Sequence, residues 1–158
     1  MTSIEEKIAE ILISDKLTAA TAESCTGGLV SSKLTDVSGS SAYIKLNYVT
    51  YANEAKHKIL GVKNTTLKTH GAVSKECAYE MTKGLIKATG CDLAICTTGI
   101  AGPVNDEGKP VGLIYIGIGF KAQIHVEKFL ISEILSKSEM KEKFANKALE
   151  LALAVISE

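Results

Sequence analysis

The stretch Thr21-Ala22-Glu23-Ser24-Cys25-Thr26-Gly27-Gly28 constrains the fold more than any other part of the chain. Leu17 to Ala22 reads as a short buried strand, and Leu29-Val30-Ser31-Ser32-Lys33-Leu34 has the spacing of one amphipathic helical face. Ser24 therefore falls where a strand turns into a helix. The first amides of that helix, around Cys25 to Gly28, are expected to lack intrahelical acceptors and to face whatever lies in front of them. Gly27 and Gly28 permit a sharp turn and a close approach of a ligand to the backbone. Three roles stay open for Ser24: a nucleophile beside an oxyanion hole, a hydroxyl beside an anion site, or a plain helix cap, the commonest role at such a junction.

The rest of the chain arranges itself around that junction. Ser3-Ile4-Glu5-Glu6 is a capping-box pattern, and Ile4, Ile8, Ile11 and Leu12 line one face of a helix to Ser14. The helix after Ser24 ends near Asp36-Val37, and Ser38 to Ser41 is a turn. Tyr43 to Tyr51 reads as a strand, Asn53 as the cap of a helix over 54–60, and Gly61 as its stop. A short helix over 65–69 halts at His70-Gly71, and Ser74 caps a longer one to Thr89. Asp92 to Thr97 is a short apolar run with turn signals on both sides, hence a central strand that empties into a glycine-rich loop, 98–112. Leu113–Phe120 and Ile124–Leu130 form a hairpin around Lys121-Ala122-Gln123. A last helix over 138–156 buries Phe144, Ala148, Leu151 and Ala152.

Early strands joined through helices imply parallel neighbours, whereas the late hairpin must be antiparallel. The expected fold is therefore α/β: one domain, residues 1–158, as a three-layer α/β/α sandwich on a mixed, mostly parallel sheet. Ligands gather outside the carboxyl ends of parallel strands in such sheets. Three ends carry unusual residues: Ser24, the segment Tyr51 to Lys56, and the loop from Thr98.

Composition removes several functions. The 18 basic residues balance 18 acidic ones, so no electrostatic footprint for nucleic acid appears. Every basic residue is Lys, so any anion site must use ammonium groups, hydroxyls and backbone amides instead of the bidentate guanidinium fork. Cys25, Cys77, Cys91 and Cys96 form no C-x-x-C pair and no zinc-like cluster, and His57, His70 and His125 share no ligand spacing; neither metal nor disulfide is expected. Met1 opens directly into a charged amphipathic helix without a leader or a membrane span, so the expected location is the cytoplasm.

Within the site, Lys56 is the most informative residue. In the first turn of a helix capped by Asn53, its charge opposes the dipole, and partial burial would lower its pKa further, giving a neutral amine able to take a proton from Ser24. A solvated surface lysine is the alternative. Tyr51 could pass or donate a proton, or serve as a half-buried strand residue. Cys25 beside Ser24 raises a thiol reading, but no His stands out as its partner.

Taken together, Ala22-Glu23-Ser24-Cys25-Thr26-Gly27-Gly28, Ser38-Gly39-Ser40-Ser41, Val49-Thr50-Tyr51-Ala52-Asn53-Glu54-Ala55-Lys56, Leu60-Gly61-Val62, Gly71-Ala72-Val73-Ser74, Thr98-Gly99-Ile100-Ala101-Gly102-Pro103 and Lys109-Pro110-Val111-Gly112 occur in that order. The chain closely resembles the CinA C-terminal domain family, the nicotinamide-nucleotide amidohydrolases. The resemblance spans nearly the whole chain. It implies hydrolysis of nicotinamide mononucleotide (NMN) to nicotinate mononucleotide and ammonia in pyridine-nucleotide recycling, with no cofactor and no metal, in a cytoplasmic homo-oligomer. The serine nucleophile and its helpers fall on Ser24, Tyr51 and Lys56. Substrate contacts are expected from Cys25, Thr26, Gly27, Gly28, Asn53, Thr98, Gly99, Gly102, Lys109, Lys137 and Lys141. Larger relatives carry an additional N-terminal domain, for which this chain is expected to have no room.

Three departures accompany the likeness. Tyr51-Ala52-Asn53 stands where relatives usually have Tyr-Ser-Asn. The segment Val104-Asn105-Asp106-Glu107-Gly108 replaces a more glycine-rich loop, and Lys137 and Lys141 stand where arginines are common. The altered loop keeps open a second class of function, a non-catalytic nucleotide-binding module that uses the same helix start as a phosphate cradle.

Overall fold

The computed structural model describes residues 2–158. In chain order the elements are α1 (Ile4–Ser14), β1 (Ala19–Glu23), α2 (Leu29–Thr35), a 3₁₀ turn (Ser40–Ala42), β2 (Ile44–Val49), α3 (Asn53–Leu60), α4 (Asn64–His70), α5 (Lys75–Thr89), β3 (Leu93–Gly99), β4 (Leu113–Phe120), β5 (Gln123–Leu130) and α6 (Lys137–Ile156). The strands form one sheet ordered β2-β1-β3-β4-β5. β1 lies parallel to both β2 and β3, while β4 runs antiparallel to its neighbours β3 and β5. Helices cover both faces, α1, α2 and α6 on one side and α3, α4 and α5 on the other, so the sequence-based α/β/α architecture holds. Among the described residues no helix is long and apolar enough to cross a membrane.

Period-two alternation divides the core between the two helical layers. Leu93 and Ile95 of β3 pack with Ile8, Leu12, Phe144 and Leu149 under α1 and α6, whereas Ala94 and Cys96 face Met81 and Leu85 of α5. The α5 face of the sheet is built from small residues, Ala20, Ala22, Ala94 and Gly117, so that helix lies close to the strands. A Cβ on Gly117 would run into the Thr82 hydroxyl and come within 3.0 Å of the Ala78 carbonyl. Burying each leucine or isoleucine contributes about 1.5–3 kcal/mol, which commits both layers to the sheet.

Parallel pairing sets the site. Glu23 is in register with Val49 of β2 and Thr97 of β3, so β1 and β2 end at one level beside the last residues of β3, and Ser24, Thr50-Tyr51 and Thr98-Gly99 lie side by side.

Several boundaries differ from the sequence reading. α2 begins at Leu29, and residues 24–28 form a turn instead of a first helical turn. Ala52, not Asn53, is the N-cap of α3 and makes no side-chain cap bond; Asn53 is the first helical residue. α6 starts one residue earlier than expected, with Ser136 and Glu139 in a capping box. The hairpin turn is two residues long, Lys121 (φ 50°) and Ala122 (φ 62°), both in the left-handed region that the right-handed twist of the flanking strands demands.

Candidate active site

The turn at Ser24 takes its form from Glu23. Gly28 caps α2 in a left-handed conformation (φ 101°) and has no side chain to offer the helix amides. The wholly buried Glu23 carboxylate does that work from the end of β1, accepting from the amides of Val30 (2.8 Å) and Ser31 (2.9 Å). The Leu29 amide donates to the Thr26 carbonyl (3.0 Å), so the helix start is satisfied internally. This corrects the expectation that helix-start amides face a ligand. The Gly27 amide is also engaged, donating to the Ser24 carbonyl (3.1 Å). Among the described residues the Cys25 and Thr26 amides donate to no partner, so the free donors beside Ser24 belong to the turn.

Lys56, the fourth residue of α3, extends back toward the helix start, as helical side chains do. The residue is 1% exposed, and its ammonium donates to three oxygens: Ser24 Oγ (3.0 Å), the Thr50 carbonyl (2.9 Å) and the Tyr51 carbonyl (2.8 Å). Among the described residues no carboxylate lies within ion-pair distance of it. Burial lowers its pKa from the ordinary lysine value; Cys77, Cys25 and Glu107 are the negative groups that oppose the shift. The two thiols are themselves pushed up to about 12 by burial, so they are uncharged at neutral pH and offer the amine no ion pair. Burial, one of the two sequence-based arguments for a depressed lysine, is the leading cause of the shift.

A cavity of about 280 Å³ opens in front of this pair. It is lined by Ser24, Cys25, Tyr51, Asn53, Lys56, Thr98, Gly99, Gly102 and Lys137 among the residues expected from sequence, and by Val104 to Glu107 of the altered loop. Tyr51 is 62% exposed, and its phenol carries no hydrogen bond among the described residues; the residue touches the dyad through its carbonyl. Thr98 is turned away, its hydroxyl donating to the Ala72 carbonyl (2.7 Å).

The remaining expected residues lie elsewhere. Thr26, Gly27, Gly28 and Lys141 line a separate hollow on the other side of the turn, where Lys141 Nζ is 3.2 Å from the place a Cβ on Gly27 would occupy. Lys109 is outside the cavity lining: its ammonium donates to the carbonyls of His70 (2.8 Å) and Val73 (2.6 Å) and pairs with Glu107 (2.9 Å). It ties the 102–109 loop to the segment before α5. Glu107, not singled out in the sequence, completes that clamp by accepting from the amides of Ala72 (2.9 Å) and Val73 (3.2 Å). Asn105 folds the loop on itself, its side-chain oxygen accepting from the Glu107 amide (3.0 Å). Glu23 and Thr97 were missed as well; the one carboxylate in a fully buried strand was the signal for the first.

Chemically, the arrangement places a hydroxyl within proton-transfer reach of a buried amine, with free backbone amides adjacent and an open cavity in front. No group of three His, Cys, Asp or Glu side chains converges as a metal-ligand set among the described residues.

The profile of the CinA C-terminal domain matches residues 1–156. A CinA-like protein of Chloroherpeton thalassium is 48% identical over 157 residues, covering 98% of this chain and 37% of that protein. A putative competence-damage inducible protein of Clostridium perfringens is 50% identical over 128 residues, 80% of this chain and 31% of its own length. The chain thus spans about a third of the curated relatives it matches. Among solved structures, a CinA superfamily protein from Klebsiella pneumoniae superposes with a TM-score of 0.92 at 30% identity, covering 98% of this chain and 96% of that one. A competence/damage inducible protein from Agrobacterium tumefaciens does so with a TM-score of 0.90 at 34% identity, covering 100% and 99%. A matching profile over nearly every residue, on a shared fold, places the chain in the CinA C-terminal domain family.

Proposed function

We propose that the domain hydrolyses the carboxamide of NMN to nicotinate mononucleotide and ammonia through a Ser24 acyl-enzyme. The observation that carries the reading is the trio of oxygens around Lys56 Nζ. Carbonyls only accept, so those of Thr50 and Tyr51 each fix one N–H of the amine. When Lys56 is neutral, its two hydrogens are committed to these carbonyls and its lone pair is left pointing at Ser24 Oγ.

In the first step the lone pair takes the Ser24 proton as Oγ bonds to the amide carbon, and the oxyanion is held by the Cys25 and Thr26 amides; one such donor contributes ~2.7–4 kcal/mol to the transition state. The tetrahedral adduct collapses by breaking the C–N bond. Lys56 returns its proton to the leaving nitrogen, giving ammonia and an ester on Ser24. Water, deprotonated by the same amine, then releases the carboxylate and restores the hydroxyl. The phenol of Tyr51, at the cavity mouth, assists proton transfer. Asn53, Gly99, Gly102 and Lys137 contact the nucleotide. No step calls for a cofactor.

The helix-start phosphate cradle of a non-catalytic module loses its main support once Glu23 occupies those amides. Four free, buried thiols suit a cytoplasmic setting, and a homo-oligomer remains part of the proposal. The test is ammonia release from NMN by wild type and Ser24→Ala. Turnover abolished in a variant that still binds nicotinate mononucleotide supports the reading; undiminished turnover in a folded Ser24→Ala protein overturns it.

A further inference from the structure

Glu23 is a fully buried carboxylate that accepts four hydrogen bonds and pairs with no cation among the described residues. Oε1 accepts from Thr26 Oγ1 (2.6 Å) and the Val30 amide (2.8 Å), and Oε2 from the Ser31 amide (2.9 Å) and Thr21 Oγ1 (3.3 Å). Both oxygens act as acceptors in all four contacts, which fixes the direction of everything attached to them. The Thr26 hydroxyl must donate to Glu23. Its one proton is then committed, so across the 2.8 Å contact with Thr97 Oγ1 it can only accept. The Thr97 hydroxyl in turn donates to Thr26 and keeps its lone pairs for the Ser24 amide, 3.3 Å away, which it shares with the Thr97 carbonyl at 3.1 Å.

We infer that Glu23 is a positioning residue for the Ser24 nucleophile, acting through the ordered chain Ser24 N–H, Thr97 O–H, Thr26 O–H and Glu23 carboxylate. The chain joins the ends of β1 and β3 across the turn. The same carboxylate holds two α2 amides, so the helix start does not compete for the turn's carbonyls. What it leaves free are the Cys25 and Thr26 amides. This inference rests on Ser24 being the nucleophile, but not on NMN being the substrate.

Glu23→Gln is close to isosteric yet cannot reproduce the pattern. Whichever way the amide is turned, its NH₂ group faces an α2 amide that is also a donor, Val30 or Ser31. Thr97→Val breaks the chain at its middle without touching the helix cap, and Thr97→Ser restores the hydroxyl. The readout is covalent labelling of Ser24 by phenylmethanesulfonyl fluoride, whose aromatic ring is near the size of nicotinamide. The Ser24 Oγ–S bond forms, the S–F bond breaks, and the serine proton leaves with fluoride; intact mass and peptide mapping give the rate. Ammonia release from NMN is followed in parallel, with circular dichroism as the check on folding.

Misplacement of the nucleophile predicts labelling about 10²-fold slower in Glu23→Gln and Thr97→Val, with most of the Thr97→Val loss recovered in Thr97→Ser. A folded Glu23→Gln or Thr97→Val protein that labels at the wild-type rate overturns the inference, whatever happens to NMN. If Glu23→Gln fails to fold, the Thr97 pair decides. Slowed labelling in these variants, in a wild type that releases no ammonia from NMN, overturns the substrate and leaves the positioning role standing. A wild-type Ser24 that never labels overturns both.

Discussion

Removing the proton acceptor at Lys56 without removing its charge is the sharpest perturbation of the proposed chemistry. Lys56→Arg keeps a cation but cannot release a proton in the working pH range, and Lys56→Met removes both charge and acceptor. An ordinary lysine, with a pKa near ~10.4, would be neutral in only about 0.1% of molecules at pH 7.4. Each unit by which burial lowers that value raises the neutral fraction tenfold, worth about 1.4 kcal/mol of barrier. Lys56 is shifted in that direction by desolvation, and its nitrogen is already 3.0 Å from Ser24 Oγ. A positioned general base contributes about 10²–10⁴-fold, so both variants should lose activity within or beyond that range.

The assay is kcat/KM for NMN against pH. In wild type it should climb about tenfold per pH unit at low pH and level off above the depressed pKa of Lys56, below the ordinary lysine value. Neither variant should show that limb. Stability gives an independent reading of the same group. Because the native pKa lies below the unfolded one, the native state is penalised while Lys56 is protonated, and the penalty is relieved as pH rises from the native value toward 10.5. Any stability advantage of Lys56→Met should therefore be largest below the native pKa and narrow with rising pH. A Lys56→Arg protein with most of the wild-type kcat/KM, or a wild-type limb that persists unchanged in Lys56→Met, would refute the general-base argument.

Cys25→Ala should retain turnover and Cys25 should resist iodoacetamide near pH 7, because its thiol, pushed up to about 12, is protonated there; mass spectrometry after alkylation reads this directly. Gly84→Ala should destabilise the domain by about 1–3 kcal/mol in urea and lower kcat, since a Cβ on α5 would drive into the Leu60 carbonyl of α3, the helix that carries Lys56. Dialysis against a chelator should leave ammonia release unchanged, because no acidic, histidine or thiol cluster converges in the cavity; loss with rescue by a divalent ion would show the site misread.

What could be read in the sequence follows the range of the interactions involved. The capping box at Ser3, the helix-stopping glycines Gly61 and Gly90, and the apolar run of β3 all act within a few residues, and their pattern carries the layer architecture. Parallel order then brought Ser24 and Lys56 to one level, 32 residues apart in sequence and 3.0 Å apart in space. The start of α2 was misplaced for the opposite reason. Its cap is supplied by Glu23, which lies outside the helix and reaches the Val30 and Ser31 amides only because a glycine turn folds the chain back. Lys109 illustrates the same limit: as a lysine in a glycine-rich loop it suits an anion contact, yet carbonyls 36 and 39 residues away take its protons.

These nonlocal contacts share a logic. Two carboxylates near the cavity are held by fixed partners: the buried Glu23 by two amides and two hydroxyls, the half-buried Glu107 by two amides and an ammonium. Lys56 is bound differently. Two of its acceptors are carbonyls that cannot move without breaking β2 from α3, whereas the third is a hydroxyl that can return the proton. Desolvation makes the charged amine unfavourable, and the rigid carbonyls allow the neutral amine only one orientation. Losing the proton therefore creates a lone pair already directed at Ser24, with no reorganisation of the surrounding groups. That asymmetry between fixed and exchangeable partners separates the Ser24–Lys56 pair from an ordinary buried hydrogen bond.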